Sequence, residues 1–229
     1  MVSIIIPTLN EEDNIGKLVH YLRQESVDTV QEIIVVDGGS RDDTINCARN
    51  AGANALVSPQ KGRAAQMNYG ASMSLGDNLF FIHADTIPPP TFATDIEQAC
   101  KVGFSLGRYR SRFDSNSILL KFNAYFTRFD LFMCYGGDQS LFITKELFDN
   151  IGGFNNEMII MEDYELVERA RGKGRYKIFD ASILISARKY EMNNWWKVQR
   201  ANYLAVKMYR KGLPQMKIVN AYKKNLDYR

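Results

Sequence analysis

Cysteine and histidine are scarce in this chain of 229 residues, which contains three of the first and two of the second. Cys47, Cys100 and Cys134 are odd in number and show no metal-ligand spacing. This pattern argues against a disulfide framework as the basis of the fold. We therefore expect buried thiols in a reducing compartment.

Long apolar runs are also missing, and none approaches the ~18 residues that a membrane span needs. The opening "MVSIIIPTLN" is apolar only from Val2 to Ile6, has no basic leader and reaches Pro7 at once. It is too short for a signal peptide and predicts a buried strand. The expected location is the cytoplasm, with the inner face of the membrane as a peripheral alternative.

Two glycine-rich phosphate motifs are absent as well. No GxGxxG follows the first apolar run, and no GxxxxGK[ST] occurs anywhere, so neither a dinucleotide fingerprint nor a phosphate loop is present. A nucleotidyltransferase normally has a glycine-rich, basic loop after its first strand. Here the segment is "PTLNEEDN", which disfavours that class.

The net charge of +3 conceals an excess of one sign near the end of the chain. Residues 171–229 contain 15 Lys and Arg against 3 acids, or 15 − 3 = +12, and the rest carries 14 − 23 = −9. A polyanionic partner, an anionic membrane, or two solvated faces that attract one another would each explain this split. Nucleic-acid binding rests on this feature alone, and we predict none.

Apolar, β-branched runs alternate with amphipathic stretches in the first hundred residues. This alternation favours an α/β fold with a mostly parallel central sheet flanked by helices, whose ligands bind beyond the carboxyl ends of the strands. Ser40 is the expected N-cap of the second helix. The predicted strands are Val2–Ile6, Glu32–Val36, Ala55–Val57 and Leu79–Ile82, and the predicted helices lie near Glu11–Gln24, Asp42–Asn50, Ala64–Ser74 and Thr91–Cys100.

The second half of the chain is less regular. We predict a helix in "SILLKFNAYFTRFDLFMC", a strand running into a helix in "SLFITKELF", and a helix with a glycine stop in "EDYELVERARG". Short strands are expected near Tyr176–Phe179 and Ser182–Ile185, and basic, aromatic helices from Asn193. The whole chain is predicted to form one domain, with a nucleotide-binding half to about residue 105, an acceptor and catalytic half to about 190, and a helical basic tail from about 191.

The stretch "LFFIHADTIPPP" ends a predicted buried strand in His83-Ala84-Asp85. Successive strand residues alternate faces, so His83 and Asp85 are expected to point the same way. Two polar groups at the carboxyl end of a buried strand indicate a binding site.

Three further segments carry polar groups that could do chemistry. Asp37 ends an apolar strand before Gly38, Lys61 and Arg63 precede a helix, and Glu162 stands beside Asp163. These patterns suit ribose, phosphate and proton-transfer roles respectively. The same residue types also occur for purely structural reasons, in an ordinary strand-to-helix turn, in a solvated helix cap and in the first turn of a helix. Both a functional and a structural interpretation of each segment stay open.

Taken in order, five segments resemble family 2 glycosyltransferases, which have the nucleotide-sugar-binding GT-A fold. The segments are "SIIIPTLNEEDNI", "IIVVDGGSRDDT", "KGRAAQMNYGA", "LFFIHADT" and "MEDYEL", and the resemblance covers roughly Val2 to Gly172. Within that family, the segments "GRAAQMNYGA", "HADT" and "GGFNNEMIIMEDYEL" resemble more closely a bacterial subset named transferase 2, rSAM/selenodomain-associated.

The resemblance implies roles on the donor side of the site. Asp37 would contact the uracil or ribose, while Gly38 replaces the second acid of the commoner pattern. Asp85 would hold a divalent cation, Mn²⁺ or Mg²⁺, together with the donor phosphates. His83 stands where relatives have another acid, and metal ligation, phosphate or ribose contact and a structural role all stay open for it. The remaining donor-site candidates are Pro7, Thr8, Glu11, Lys61 and Arg63.

The resemblance also implies roles on the acceptor side. Asp163 would be the general base, with Glu162 beside it, and Gly137, Asp138 and Gln139 would border the sugar. Arg188 and Lys189 follow a predicted strand and could reach the diphosphate of the donor. The chain lacks the QxxRW element of processive relatives, which disfavours polymer synthesis.

The predicted function is transfer of a sugar from a nucleotide-diphosphate donor to an acceptor hydroxyl, metal-dependent and inverting. The alternative is a nucleotide-sugar-binding protein without transfer activity, suggested by Gly38 and His83. The predicted partners are the nucleotide sugar and an acceptor, which could be lipid-linked. A homodimer and a peripheral membrane contact are further options, the latter because the tail interleaves cations with Trp195, Trp196, Tyr203 and Tyr209. Packing of these aromatics onto the body is the simpler reading.

Overall fold

A strand buried along its whole length opens the chain. The computed structural model describes residues 1–25, 29–135 and 140–226. In strand β1, Val2–Thr8, every residue is buried, and alternate side chains enter different cores. Ile4 and Ile6 pack in one core, while Ile5 packs in the other. A strand with apolar side chains on both faces must be covered on both, and helices cover both faces of this sheet.

Seven further strands follow β1 in the described residues. They are β2 Val30–Asp37, β3 Asn54–Val57, β4 Asn78–Phe81, β5 Thr86–Ile87, β6 Phe104–Phe113, β7 Leu141–Thr144 and β8 Arg175–Ile185. The eight strands form one sheet in the order β3-β2-β1-β4-β7-β6-β8-β5. Strands β1 to β4 are parallel neighbours, whereas β7 runs antiparallel to β4 and to β6. Strands β6 and β8 are parallel to each other, and β5 is antiparallel to β8.

The helices of the described residues are α1 Glu12–Gln24, α2 Thr44–Asn50, α3 Arg63–Ser72, α4 Phe92–Lys101, α5 Ile118–Phe126, α6 Lys145–Asn150, α7 Glu162–Ala170, α8 Arg188–Met192, α9 Trp195–Arg210 and α10 Gln215–Asn225, and a 3₁₀ turn spans Phe132–Cys134. Helices α1, α2 and α4 contribute to the first core, and α3, α6 and α7 to the second. The predicted α/β fold with helices on both faces is therefore confirmed. No helix among the described residues is both long and apolar enough to cross a membrane.

Helix α3 lies unusually close to the sheet because of one glycine. A Cβ atom on Gly70 would come within 2.6 Å of Ile5 and 3.0 Å of Val36. Only a residue without a side chain allows this approach. The close packing holds the C-terminal part of α3 against β1 and β2.

Several local predictions were wrong. Strand β6 was not predicted at all, and the helix expected over residues 117–134 ends at Phe126. The two strands expected in 176–185 are one strand, β8, with a register shift opposite Tyr109. Ser40 does not cap α2, which begins at Thr44, because the Ser40 backbone and hydroxyl both donate to Asp37. The three cysteines are free, but only Cys134 is buried, and the other two are half-buried.

The tail packs on the body through α9 and α10. Val198, Ala201 and Leu226 form a small apolar core of their own. The Tyr209 hydroxyl donates to Glu168 of α7 at 3.0 Å, and the Gln215 side chain accepts from backbone N–H groups just before α7. The tail thus braces the segment that carries Glu162 and Asp163. The division of the chain at about residues 105 and 190 stays a prediction, since one sheet runs through both halves.

Candidate functional site

The ends of three parallel strands bring the predicted donor-site residues to one edge of the sheet. Thr8, the last residue of β1, pairs in register with Asp37, the last residue of β2. Strand β4 is parallel to β1 and ends at Phe81, shortly before His83 and Asp85. Because the carboxyl ends of parallel neighbours meet at one edge, these segments share a rim of the sheet.

Asp37 is fully buried, and its carboxylate is already engaged. One oxygen accepts the backbone N–H groups of Gly39 and Ser40, each at 2.8 Å. The other accepts the hydroxyls of Ser40 and, at 3.4 Å, Thr8. In this structure the Asp37 carboxylate stabilises the turn after β2. From the sequence alone, this structural role looks the same as contact with a ligand, because both use a carboxylate at the end of a strand.

Gln66 of α3 fills the space beside Gly38. It is buried, and its amide donates at 2.8 Å to the backbone carbonyls of both Thr8 and Val36. A Cβ on Gly38 would lie 3.1 Å from this amide. Gly38, which replaces the second acid of the family pattern, therefore leaves room for the Gln66 amide. The sequence did not predict that these two residues are in contact.

Helix α3 also reaches α7 through an ion pair. Arg63 Nη1 lies 3.0 Å from Glu162 Oε1, and the side chains are 38% and 1% exposed respectively. The second oxygen of Glu162 is buried without a hydrogen-bond partner in the described part of the chain. The phosphate-corner candidate and the acidic pair, 99 residues apart, are thus in direct contact.

Asp163 is buried in the first turn of α7 beside Glu162. The residue before the helix, Met161, has a left-handed backbone with φ of 64°. Non-glycine residues seldom adopt this conformation, and it is enriched at functional sites. It turns the chain sharply into α7, so that both acids lie at the positive end of the helix dipole, where negative charge is stabilised.

Arg188 joins two of the predicted donor-site acids. Its Nη2 atom lies 3.2 Å from an oxygen of Glu11 and 3.2 Å from an oxygen of Asp85. Burial disfavours its charge, but the two carboxylates outweigh that effect and raise the pKa of Arg188. A permanent cation therefore stands at the acid proposed to hold the metal.

The prediction that His83 and Asp85 continue a strand, and therefore point the same way, was wrong about the strand. Strand β4 ends at Phe81, and residues 83–85 form a turn in which Thr86 N–H bonds to the His83 carbonyl. Both side chains are half-buried, and Ala84 is buried between them in the chain. Their shared direction therefore cannot be derived from strand periodicity.

A divalent cation would find the Asp85 carboxylate, with the Glu11 carboxylate on the same Arg188 nitrogen, rather than a complete cage of side chains. Among the described residues, no three His, Cys, Asp or Glu side chains are grouped to hold a metal. Asp85, at 30% exposure, remains accessible from solvent. An ion with several water or phosphate oxygens needs only one or two protein carboxylates, so Asp85 fits such a role.

The other predicted residues lie in different settings. Pro7 is buried within β1, and Lys61 is exposed just before α3. The Lys189 ammonium donates to the Tyr222 hydroxyl of α10 and so contacts the tail. Gly137, Asp138 and Gln139 lie outside the described residues.

Asn68 is a further positioning residue that the sequence reasoning missed. Its side-chain amide and carbonyl pair with the backbone of Phe154, both at 2.8 Å. Helix α3 therefore holds the strand ends through Gln66, the "GGF" turn through Asn68 and the acidic helix through Arg63. The polar residues of the "GRAAQMN" segment indicated a functional helix. The groups that they contact lie far away in the sequence and could not be predicted from this segment.

The architecture is that of GT-A glycosyltransferases. A mannosyltransferase from Pyrobaculum calidifontis, solved with GDP-Man and Mn²⁺, superposes with a TM-score of 0.69 at 18% identity, covering 96% of this chain and 68% of that one. Glucosyl-3-phosphoglycerate synthase from Mycobacterium tuberculosis, solved with Mn²⁺, UDP and phosphoglyceric acid, gives 0.66 at 18% identity, covering 93% and 79%.

Sequence similarity gives the family. Residues 3–155 match the profile of glycosyl transferase family 2, and the chain belongs to that family. Glucosyl-3-phosphoglycerate synthase of Mycolicibacterium smegmatis is 33% identical over 96 residues, covering 38% of this chain and 32% of the relative. An uncharacterised glycosyltransferase of Rickettsia typhi is 34% identical over 84 residues, covering 37% and 27%. The aligned region thus spans between a quarter and a third of the length of these curated relatives.

Proposed function

We propose that the protein transfers a sugar from a nucleotide-diphosphate donor to an acceptor hydroxyl. The observation that carries this proposal is the 3.0 Å contact between Arg63 and Glu162. It joins the helix expected beside the donor phosphates to the helix that bears the acidic pair. A protein that only binds nucleotide sugars has no need of a carboxylate pair adjoining the phosphate corner, so the contact favours the enzyme over the binding protein.

In the proposed mechanism, Asp163 accepts the proton of the acceptor hydroxyl as that oxygen attacks the anomeric carbon of the sugar. The bond from that carbon to the diphosphate breaks in the same step, so the configuration inverts. Arg63 and Arg188 would neutralise the negative charge of the departing diphosphate. Glu162, held by Arg63, positions the first turn of α7 and hence Asp163.

Asp85 would hold a divalent cation, Mg²⁺ or Mn²⁺, at the edge of the sheet. When bound, the ion would supply positive charge to the diphosphate oxygens. The engaged carboxylate of Asp37 keeps the turn after β2 in shape, so Gly39 and Ser40 would border the nucleoside. Glu11 orients Arg188. His83, two residues before Asp85, would contact a phosphate or the ribose.

The relatives suggest classes of substrate. The structures from M. tuberculosis contain UDP and phosphoglyceric acid, and the one from P. calidifontis contains GDP-Man. By analogy, the donor here is a uridine- or guanosine-diphosphate sugar. We further propose a cytoplasmic protein with a peripheral membrane contact, to which Trp196 and Tyr203, 70% and 57% exposed, could contribute. We also propose that the acceptor is lipid-linked and that the protein forms a homodimer.

Two measurements on the purified protein test the proposed function. A thermal-shift screen of UDP- and GDP-sugars, each with and without Mn²⁺ or Mg²⁺, should reveal a donor that raises Tm more when the metal is present. Asp163→Asn should then abolish transfer to an acceptor, detected as released nucleoside diphosphate, while the donor-induced Tm shift survives. Turnover that is unchanged in Asp163→Asn would remove Asp163 from the role of base. Absence of any nucleotide-dependent shift would contradict the function itself.

A further inference from the structure

Helix α5 and the segment after it expose an unusual concentration of apolar side chains. Eight of the 21 large hydrophobic side chains that are exposed in the described chain lie within residues 118–133. Ile118 is 81% exposed, Met133 67% and Phe122 56%. We name this set the α5 surface, and its members are Ile118, Leu119, Phe122, Tyr125, Phe126, Phe129, Leu131 and Met133.

The aromatic members form one continuous cluster rather than scattered contacts. Phe122 and Phe126 have ring centroids 4.8 Å apart, and Tyr125 lies 5.7 Å from Phe126. Phe129 extends the cluster, with its centroid 5.9 Å from that of Tyr125. Single exposed hydrophobic residues are normal on a soluble protein, whereas a contiguous apolar patch marks a binding surface.

The opposite face of this segment is firmly attached to the sheet. Arg108 of β6 is buried and donates to the carbonyls of Thr127 and Phe129 at 2.6 and 3.0 Å. The Thr127 hydroxyl accepts from the Ser111 backbone at 2.9 Å, and Leu120 is buried. The apolar side chains therefore face outward because the helix is fixed in that orientation, not because the segment is frayed.

Cations border the α5 surface. The Arg128 guanidinium lies 4.0 Å from the centroid of the Tyr125 ring, and Lys121 is exposed within α5 itself. The basic tail adjoins the surface, since Arg210 lies over the Phe132 ring at 4.4 Å and Tyr209 stacks on the same ring. Aromatic and aliphatic side chains interleaved with cations match the boundary of an anionic lipid bilayer.

We propose that the α5 surface is the membrane-docking element of this protein and that its partner is an anionic phospholipid bilayer. This inference extends the peripheral contact proposed above by supplying its apolar component. The apolar side chains would enter the acyl boundary while Lys121, Arg128 and Arg210 meet lipid phosphates. A second copy of the chain fits less well, because joining two such surfaces would bring these cations together.

Vesicle flotation of the whole protein tests the proposal without donor, acceptor or metal, so failure here would leave the proposed transfer reaction untouched. The protein should bind phosphatidylcholine vesicles that contain phosphatidylglycerol, bind pure phosphatidylcholine more weakly, and detach as salt is raised. The double variant Ile118→Ser/Phe122→Ser should lower partitioning at least about tenfold. The variant Lys121→Gln/Arg128→Gln should remove most of the preference for the anionic vesicles.

The matched control is Leu75→Ser, which removes a side chain that is 75% exposed and lies between α3 and β4. It should bind vesicles like the unaltered protein, and the thermal unfolding of all variants should match. Absence of vesicle binding, equal binding to neutral vesicles, or binding that survives the double variant would each overturn the proposal. So would a dimer in solution that the double variant dissociates, since that would assign the surface to a second copy.

Discussion

Arg188 Nη2 and Asp85 Oδ2 lie 3.2 Å apart, although 103 residues separate them in the chain. The same guanidinium nitrogen lies 3.2 Å from Glu11. A cation thus occupies the space next to the carboxylate that would hold the metal. Metal binding at Asp85 must compete with Arg188 or share the carboxylate with it, and the diphosphate of a donor offers Arg188 an alternative anion.

Arg188→Ala should therefore separate metal affinity from donor affinity. Removing the guanidinium leaves Glu11 and Asp85 without their shared cation, so Mn²⁺ alone should bind several-fold more tightly. The nucleoside diphosphate should bind more weakly, because a charge-assisted contact is lost. Calorimetric titration with Mn²⁺ and then with UDP or GDP would measure both effects. Arg200→Ala, at an exposed position on α9, is the control and should change neither affinity.

The ion pair between Arg63 and Glu162 should contribute to stability as well as to the site. In Arg63→Met, Glu162 would remain buried without its cation, and we expect a loss of about 1–3 kcal/mol in the free energy of unfolding. Glu162→Gln should recover part of that loss in the double variant, because the uncompensated charge is removed. Urea unfolding of the four proteins gives the coupling energy directly. Strictly additive effects would mean that the contact has no energetic weight.

Strands β1, β2 and β4 could be predicted because apolar runs buried on both faces are recognisable without knowledge of their neighbours. Strand β6, "FSLGRYRSRF", could not be predicted, since arginines occupy every second position in its second half and break the apolar run. Arg108 is buried only because carbonyls of residues 127 and 129 accept its hydrogen bonds, and Arg110 pairs with Asp180. Likewise, the acids of the site could be named from the motifs. Arg188, which pairs with Glu11 and Asp85, and Gln66, which bonds to the ends of β1 and β2, come from elements that only the fold brings to these positions.

Restoring the second acid of the family pattern should damage this protein. Gly38→Asp places a side chain 3.1 Å or less from the Gln66 amide, which donates to Thr8 and Val36. If Gln66 is displaced, the buried carbonyls of Thr8 and Val36 lose the hydrogen bonds from its amide, although Thr8 keeps the one from Gly38 N–H. We therefore expect destabilisation of about 1–3 kcal/mol. In a Gln66→Ala background the same substitution should cost less, because the space is already open. Denaturant midpoints of the single and double variants provide the test, and equal costs in both backgrounds would refute the steric explanation.

Alkaline pH should unfold the protein through its buried tyrosines. Burial raises the pKa of Tyr176 from 10.0 to about 12, and burial with the adjoining Asp95 raises the pKa of Tyr109. The pKa of such a phenol is higher in the folded than in the unfolded protein. Its contribution to stability is complete below the unfolded pKa and is lost as the pH rises from the unfolded pKa through the folded one. The free energy of unfolding should therefore be flat up to about pH 9 and fall between about pH 10 and 12.

Tyr176→Phe isolates one of these groups. The Tyr176 hydroxyl is buried, makes no well-formed hydrogen bond among the described residues and lies near the Arg108 side chain, so its removal should change stability at pH 7 by no more than about 1 kcal/mol. The decline between about pH 10 and 12 should become shallower, since one group that titrates there is gone. Tyr203→Phe, at a position that is 57% exposed, is the control and should reproduce the unaltered curve. Thermal unfolding followed by circular dichroism across this pH range measures both slopes. An identical decline in Tyr176→Phe and in the unaltered protein would show that Tyr176 does not couple folding to alkaline pH.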